Sequence, residues 1–165
     1  MPAGTASLKL RRVRYELLQF HWHTPSEHEI EGRRTALEMH FVHRAANGSL
    51  LVVGVFIEEG RRNRKLEPIF RALPEHPGDT TVVSGVKLRG LRPDEDESFR
   101  YGGSLTTPPF TEGVQWIVLA DPITMSEEQI DAFRELFEDG NSREVQPLND
   151  RLVLSDADDG FEEDD

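Results

Sequence analysis

Cysteine is absent from this 165-residue chain, so neither a disulfide framework nor a thiolate metal site is available to it. Positive charge is scarce: 19 Lys and Arg stand against 31 Asp and Glu, for a formal net charge of −12. Neutralising phosphates takes clustered cations, so this balance argues against nucleic acid and against an anionic membrane as partners. The two basic runs, Arg11-Arg12-Val13-Arg14 and Arg61-Arg62-Asn63-Arg64-Lys65, are short and read as a solvated strand edge and a loop. No run reaches the ~18 apolar residues of a membrane span, and Met1 to Lys9 holds no apolar signal-peptide core. A cytoplasmic location is the expectation, with a periplasmic or secreted one in its place if the true start lies upstream. No repeat or second domain is visible. The division expected is one domain over 1–154 and a disordered, solvating tail over 155–165, where seven acids occur with no base.

What the chain does have is a patterned set of histidines. In a strand, successive side chains alternate between faces, so in Gln19-Phe20-His21-Trp22-His23 the two imidazoles share a face with Gln19. Leu18, Phe20 and Trp22 make the apolar row behind them, which predicts a strand over Val13–His23. Thr35 to His43 repeats the split: Leu37, Met39 and Phe41 have one parity, Glu38, His40 and Val42 the other. Antiparallel pairing of the two strands lets His40 complete a triangle with His21 and His23. Three imidazoles are the ligand set of a catalytic rather than a structural zinc, because a tetrahedral ion keeps one position for water. Zinc lowers the pKa of that water to near 7 and provides a hydroxide nucleophile. Gln19 and Glu38 each stand two residues before a ligand histidine, placed to accept its second ring N–H. His28, His43 and His76 are read as surface or satisfied core residues.

The next motif, Gly103-Ser104-Leu105-Thr106-Thr107-Pro108-Pro109, reads as a proline-stiffened loop before a strand at Val114–Leu119. Together with QFHWH, the SEH of Ser26 to His28 and the EMHFVH of Glu38 to His43, it makes the chain resemble the alpha-class carbonic anhydrases over about Tyr15 to Leu152. The resemblance implies Zn2+ on His21, His23 and His40, with Thr106 accepting a hydrogen bond from zinc-bound hydroxide and passing its own proton to Glu27. It further implies an apolar wall for carbon dioxide from Val42, Val52, Leu105, Val114 and Trp116, with Thr107 also lining the site. Gln19 and Glu38 then support His21 and His40, and the backbone carbonyl of Asn141 receives His23. Phe110 stands where many exported members carry a cysteine. The activity implied is that of a zinc lyase: reversible hydration of carbon dioxide to bicarbonate and a proton.

Measured against that family, the chain reads as N-terminally shortened. No histidine precedes His21, so the usual proton shuttle has no counterpart, and slow, buffer-assisted hydration is expected. An open sheet edge near residues 8–15, covered by a second subunit in a homodimer, is a further expectation. Two other readings stay open. His21-x-His23-x3-Glu27 fits half of a cupin motif, in which a jelly roll holds iron or manganese; a catalytically weakened zinc-binding relative is the second.

Elsewhere, Asn47-Gly48 predicts a hairpin into a central strand at Leu50–Ile57. A short helix is expected over Leu66–Leu73, a strand over Thr81–Leu91 and an acidic loop over Pro93–Ser98. Ser126–Phe137 reads as a helix with Ser126 as N-cap, Gln129 completing a capping box and Gly140 beyond its end. The fold class is therefore mainly β (α+β) with a few peripheral helices, and the resemblance implies a single twisted, largely antiparallel sheet of the alpha carbonic anhydrase type lacking the family's N-terminal portion.

Overall fold

The computed structural model describes residues 6–76 and 78–156. Its strands are β1 (Ser7–Leu10), β2 (Val13–His23), β3 (Leu37–Ala45), β4 (Leu50–Glu59), β5 (Ser98–Ser104), β6 (Glu112–Met125) and β7 (Leu154–Ser155), and its helices are α1 (Glu67–Phe70) and α2 (Glu127–Arg134). All seven strands join one mixed sheet in the order β1-β2-β3-β4-β6-β5-β7. Only the β4/β6 pair is parallel; its neighbours run antiparallel. A jelly roll needs two packed sheets, so the cupin alternative loses its scaffold. No helix among the described residues is long and apolar enough to cross a membrane.

The period of two along β3 gives the sheet two packed faces, with a smaller cluster of Tyr15, Ala45 and Leu51 beside them. Leu37, Met39 and Phe41 face back with Val55, Ile57 and Leu119, and α1 and α2 cover them through Leu66, Phe70, Ile130 and Phe133. The other parity faces front, where Val42 meets Val52, Phe56, Val114, Trp116 and Val118. The back core anchors the sheet. The front core and the histidines share the opposite surface.

The apolar row on β2 differs from the sequence reading. The register shifts between Leu17, opposite His43, and Gln19, opposite Val42, so Leu18 sits in a bulge. One extra residue reverses the parity. Tyr15 and Leu17 are therefore the inward residues before the bulge, and Phe20 and Trp22 take over after it.

Thr81–Leu91 forms no strand: it is irregular up to a 3-10 turn at Leu88–Gly90. Gly85 turns the run with φ +78°, and Val82 is left 97% exposed. Val86, Leu88 and Leu91 instead drop into the back core. Strand β5 is not among the expected elements: only its ends, Ser98 and Gly103-Ser104, fall in stretches read as loops, and its middle carries no assignment. Pairing with β6 creates it, and Gly103 lies close under two rings, where a Cβ would stand 2.7 Å from Tyr101 Cε2 and 3.0 Å from Trp116 Cδ1. The strand expected at Val114–Leu119 extends over all of β6, and Pro122 falls where residues 120–122 leave the ladder between the Val55↔Leu119 and Ile57↔Ile123 pairs.

Helix α1 is only one turn, starting with Pro68 in its first turn. Helix α2 stops at Arg134, so Leu136 and Phe137 lie beyond it, each 38% exposed. At its start the expected capping box is present, with Gln129 Oε1 accepting from Ser126 N at 3.3 Å. The edge expected to be open near residues 8–15 is occupied by β1, which pairs Ser7 to Leu10 with Glu16 to Val13. Ser155 and Asp156 of the expected tail are tied to β5; residues 157–165 lie outside the described residues.

Candidate metal centre

Antiparallel pairing sets His21 directly opposite His40, and His23 follows two residues on along the same face. Alternation and register together close a triangle of rings, with centroids 4.9 Å apart for His21–His23, 5.4 Å for His21–His40 and 4.7 Å for His23–His40. One nitrogen from each of the three lies within 4.8 Å of those of the other two.

The outward nitrogens are all tied to oxygen acceptors. His21 Nδ1 donates to Gln19 Oε1 at 2.8 Å, His23 Nδ1 to the Asn141 carbonyl at 3.1 Å, and His40 Nε2 to Glu38 Oε1 at 2.9 Å. Each of these bonds places the ring proton on the outer nitrogen and leaves a lone pair on the inner one. His23 Nε2 is buried with no hydrogen-bond partner at all. Burial and the neighbouring His40 hold His23 below its usual pKa, while burial, His40 and His23 draw His21 down to about 3. Neutral imidazoles with converging lone pairs form a donor set for a borderline-soft divalent cation. The residues fit zinc.

Asn141 is fastened by four contacts at the end of β2. Besides its carbonyl, its side chain accepts from Thr24 N at 2.8 Å and donates to Trp22 O at 3.0 Å, and its N–H reaches Thr24 O at 3.0 Å. Gly140 permits this approach: its φ is +77° and a Cβ would lie 2.4 Å from Thr24 O.

Glu38 is fully buried and accepts four bonds. Oε1 takes His40 Nε2 and His28 Nδ1 at 2.7 Å, and Oε2 takes Glu27 N at 2.8 Å and His28 N at 2.9 Å. Burial pushes its pKa up, but His28 and His40 outweigh that and keep the carboxyl well below its ordinary value. Gly54 makes room, since a Cβ there would be 2.8 Å from Glu38 Oε1.

His28, which the sequence reading set aside, belongs to this network. Its Nε2 accepts from Tyr101 OH at 2.6 Å, and burial raises the Tyr101 pKa, keeping the phenol a donor. Tyr101 also stacks on Trp116 at 7° between planes. A residue in the loop after β2 has no strand parity to reveal its direction. The adjacent SEH motif was the only sequence signal.

Glu27 is buried beside the triangle. Its Oε1 accepts from Arg143 N at 2.7 Å and lies 3.3 Å from His23 Nδ1, while Oε2 is 3.8 Å from His40 Nδ1 and has no hydrogen-bond partner. Thr106 is half-buried on the loop between β5 and β6, and no Thr106–Glu27 bond is formed; Thr107 is exposed. Val42, Val52, Val114 and Trp116 are buried in the front core with Leu105 packed against them, and the Trp116 ring lies 4.8 Å from His40. His43 faces back, bonded to Phe41 O at 2.9 Å.

Residues 3–157 match the family described as eukaryotic-type carbonic anhydrase. A carbonic anhydrase of Pectobacterium atrosepticum is 39% identical over 149 residues, covering 90% of this chain and 61% of the relative. One from Nostoc is 42% identical, covering 89% of this chain and 56% of the relative. The chain thus spans about three fifths of the length of these curated relatives. In structure it is similar to the alpha-carbonic anhydrase from Thermovibrio ammonificans solved with the inhibitor sulfanilamide, at TM-score 0.88 and 43% identity, over 91% of this chain and 67% of that one.

Proposed function

The chain belongs to the eukaryotic-type carbonic anhydrase family, and on that premise we propose that it catalyses the reversible hydration of carbon dioxide with Zn2+ held by His21, His23 and His40. One observation carries the reading: three imidazoles whose outer nitrogens are all engaged, with His23 Nε2 buried and unpaired among them. Bound there, zinc supplies a Lewis acid that makes water a nucleophile at neutral pH. The chain's own residues do the rest. Gln19, Asn141 and Glu38 fix the tautomers and orientation of the three rings.

In this reading Glu27 Oε2, which is buried without a donor, takes up the Thr106 hydroxyl as its donor once substrate water is bound, a contact not formed in the structure. With its proton committed to Glu27, the Thr106 oxygen can only accept, so it orients the attacking oxygen's hydrogen away from the substrate. Val42, Val52, Leu105, Val114 and Trp116 form a dry wall suited to a small molecule without a dipole, and Thr107 borders its mouth. Proton release is the slow step of this reading. His28 is bonded at both nitrogens and His43 faces the back core, so neither is a free imidazole at the site. Small buffers then carry the proton.

The homodimer proposed would pair along the outer edge of β1, which is four residues long and carries Lys9, so the contact along it is short. Light scattering that finds a monomer at micromolar concentration removes it. The function is tested by loading zinc, counting bound metal and following hydration by stopped flow with and without imidazole. One zinc per chain and a rate that climbs with imidazole are expected. Zinc bound with no hydration overturns the activity, and no zinc bound overturns the site.

A further inference from the structure

Thr106 and Glu27 lie on different loops, and one residue is bonded to both regions. Arg143 belongs to the segment tied to the end of β2, and its N–H donates to Glu27 Oε1 at 2.7 Å. Its side chain reaches the loop between β5 and β6. There the guanidinium carbon lies 4.1 Å from the centre of the Phe110 ring, and Nη1 is 3.4 Å from Ser104 Oγ. Among the described residues no carboxylate forms an ion pair with this guanidinium, although the chain carries 31 acids.

The loop is organised around those two contacts. Ser104 Oγ, which accepts from Arg143, donates to Leu105 O at 3.0 Å, the carbonyl of the peptide leading into Thr106. Leu105 N donates to Thr111 O and Phe110 N to Thr107 O, each at 2.9 Å, so Thr106 stands between fastened points. Phe110 has φ +58°, an uncommon conformation for a bulky residue, and is 38% exposed. Backbone of this kind persists where its surroundings over-determine it. The guanidinium over the ring face is a specific contact that does so.

The segment bearing Arg143 is itself held. Asn141 has the four contacts described above, and Ser142 Oγ accepts from Arg34 Nη2 at 3.0 Å. Arg34 Nε in turn donates at 2.5 Å to the carbonyl of Ser26, the residue before Glu27. The guanidinium therefore extends from a base already fixed to the Glu27 loop.

We propose that Arg143 is a positioning residue: seated on Phe110 and Ser104, its guanidinium clamps the Thr106 loop in place relative to Glu27. The inference rests on the proposed roles of Thr106 and Glu27 and deepens them. Truncating the side chain leaves the Arg143 N–H on Glu27, so the clamp can be removed without breaking that bond.

Amide hydrogen exchange in the full, metal-free chain reads the clamp, and stopped-flow hydration by the zinc-loaded chain reads its consequence. An exposed cation–π contact shifts a local equilibrium by about 2–5-fold, so Arg143→Ala and Phe110→Leu should each speed exchange of the Leu105 amide by that factor. The double variant should go no further than either single one. Phe110→Trp keeps a ring face and should retain the protection, which an apolar packing role alone would grant to leucine as well. Hydration kcat/KM should fall in the same order while zinc affinity, read by chelator competition, stays at the parent value. Leu105 exchange unchanged in Arg143→Ala, or effects that multiply in the double variant, overturn the clamp. Faster exchange with kcat/KM at the parent value overturns the positioning role. A parent that hydrates no carbon dioxide overturns the proposed function, and exchange of Leu105 then decides the clamp by itself.

Discussion

Glu38→Gln tests how much the centre depends on one carboxylate. Glu38 accepts four hydrogen bonds at 2.7 to 2.9 Å and is fully buried, whereas an amide of the same shape has one acceptor oxygen and a donor group. If the amide oxygen keeps the two backbone N–H groups, its NH2 faces His28 Nδ1 and His40 Nε2. His40 must then move its proton to Nδ1, the nitrogen that should face the metal. With the amide reversed, the N–H groups of Glu27 and His28 lose their acceptor.

Two buried groups left unsatisfied at about 1–3 kcal/mol each suggest a loss of about 4 kcal/mol. At about 2–4 °C per kcal/mol, the metal-free protein should melt about 8–16 °C lower. Loss of the ring's support should weaken zinc binding by about 10–100-fold. Calorimetry of the metal-free protein and competition with a chromophoric chelator measure the two effects. A variant that melts within about 2 °C of the parent and binds zinc equally well would refute this account of Glu38.

Four other outcomes are expected. Acid should destabilise the metal-free protein: an unfolded histidine takes its proton near 6.5 but His21 only at about 3. The stabilisation is therefore complete above pH 6.5 and is lost as pH falls toward 3, at about 1 kcal/mol per pH unit after discounting for solvent at this half-buried ring; denaturant titrations at pH 7, 6 and 5 that coincide would contradict it. Thr106→Ala should lower kcat/KM by about 100-fold with zinc affinity unchanged, which stopped-flow hydration and chelator competition read separately. Gly140→Ala should cost about 2 kcal/mol or more, because it forces a Cβ into a left-handed residue 2.4 Å from Thr24 O, and zinc affinity should fall as Asn141 is displaced from His23. Hydration by the 165-residue chain should rise with imidazole concentration, and a turnover indifferent to buffer would contradict the proposed proton route.

Those features of the centre that follow from strand alternation were legible in the sequence. His21 and His23 share a face by periodicity, and the Asn47-Gly48 hairpin fixes β3 beside β4, with Gly48 at φ +87°. The His21↔His40 register was not derivable. It depends on the bulge at Leu18, whose apolar side chain continues the pattern and conceals the extra residue.

Tertiary context decided the remaining differences. Thr81–Leu91 has β-forming residues but no sheet neighbour, and β5 has glycines but gains β6, with the Tyr101 and Trp116 rings crowding the space a Cβ at Gly103 would take. His28 acquires its role from Glu38 and Tyr101, the latter 73 residues away in sequence, beyond the reach of any local pattern.

The most direct measurement of the central claim pairs zinc content with carbon dioxide hydration in the parent chain and in His23→Ala. The account predicts one tightly held zinc and measurable hydration in the parent, with both lost together when the unpaired Nε2 is removed. A parent that remains metal-free in excess zinc, or a His23→Ala variant that hydrates carbon dioxide as fast as the parent, would contradict it.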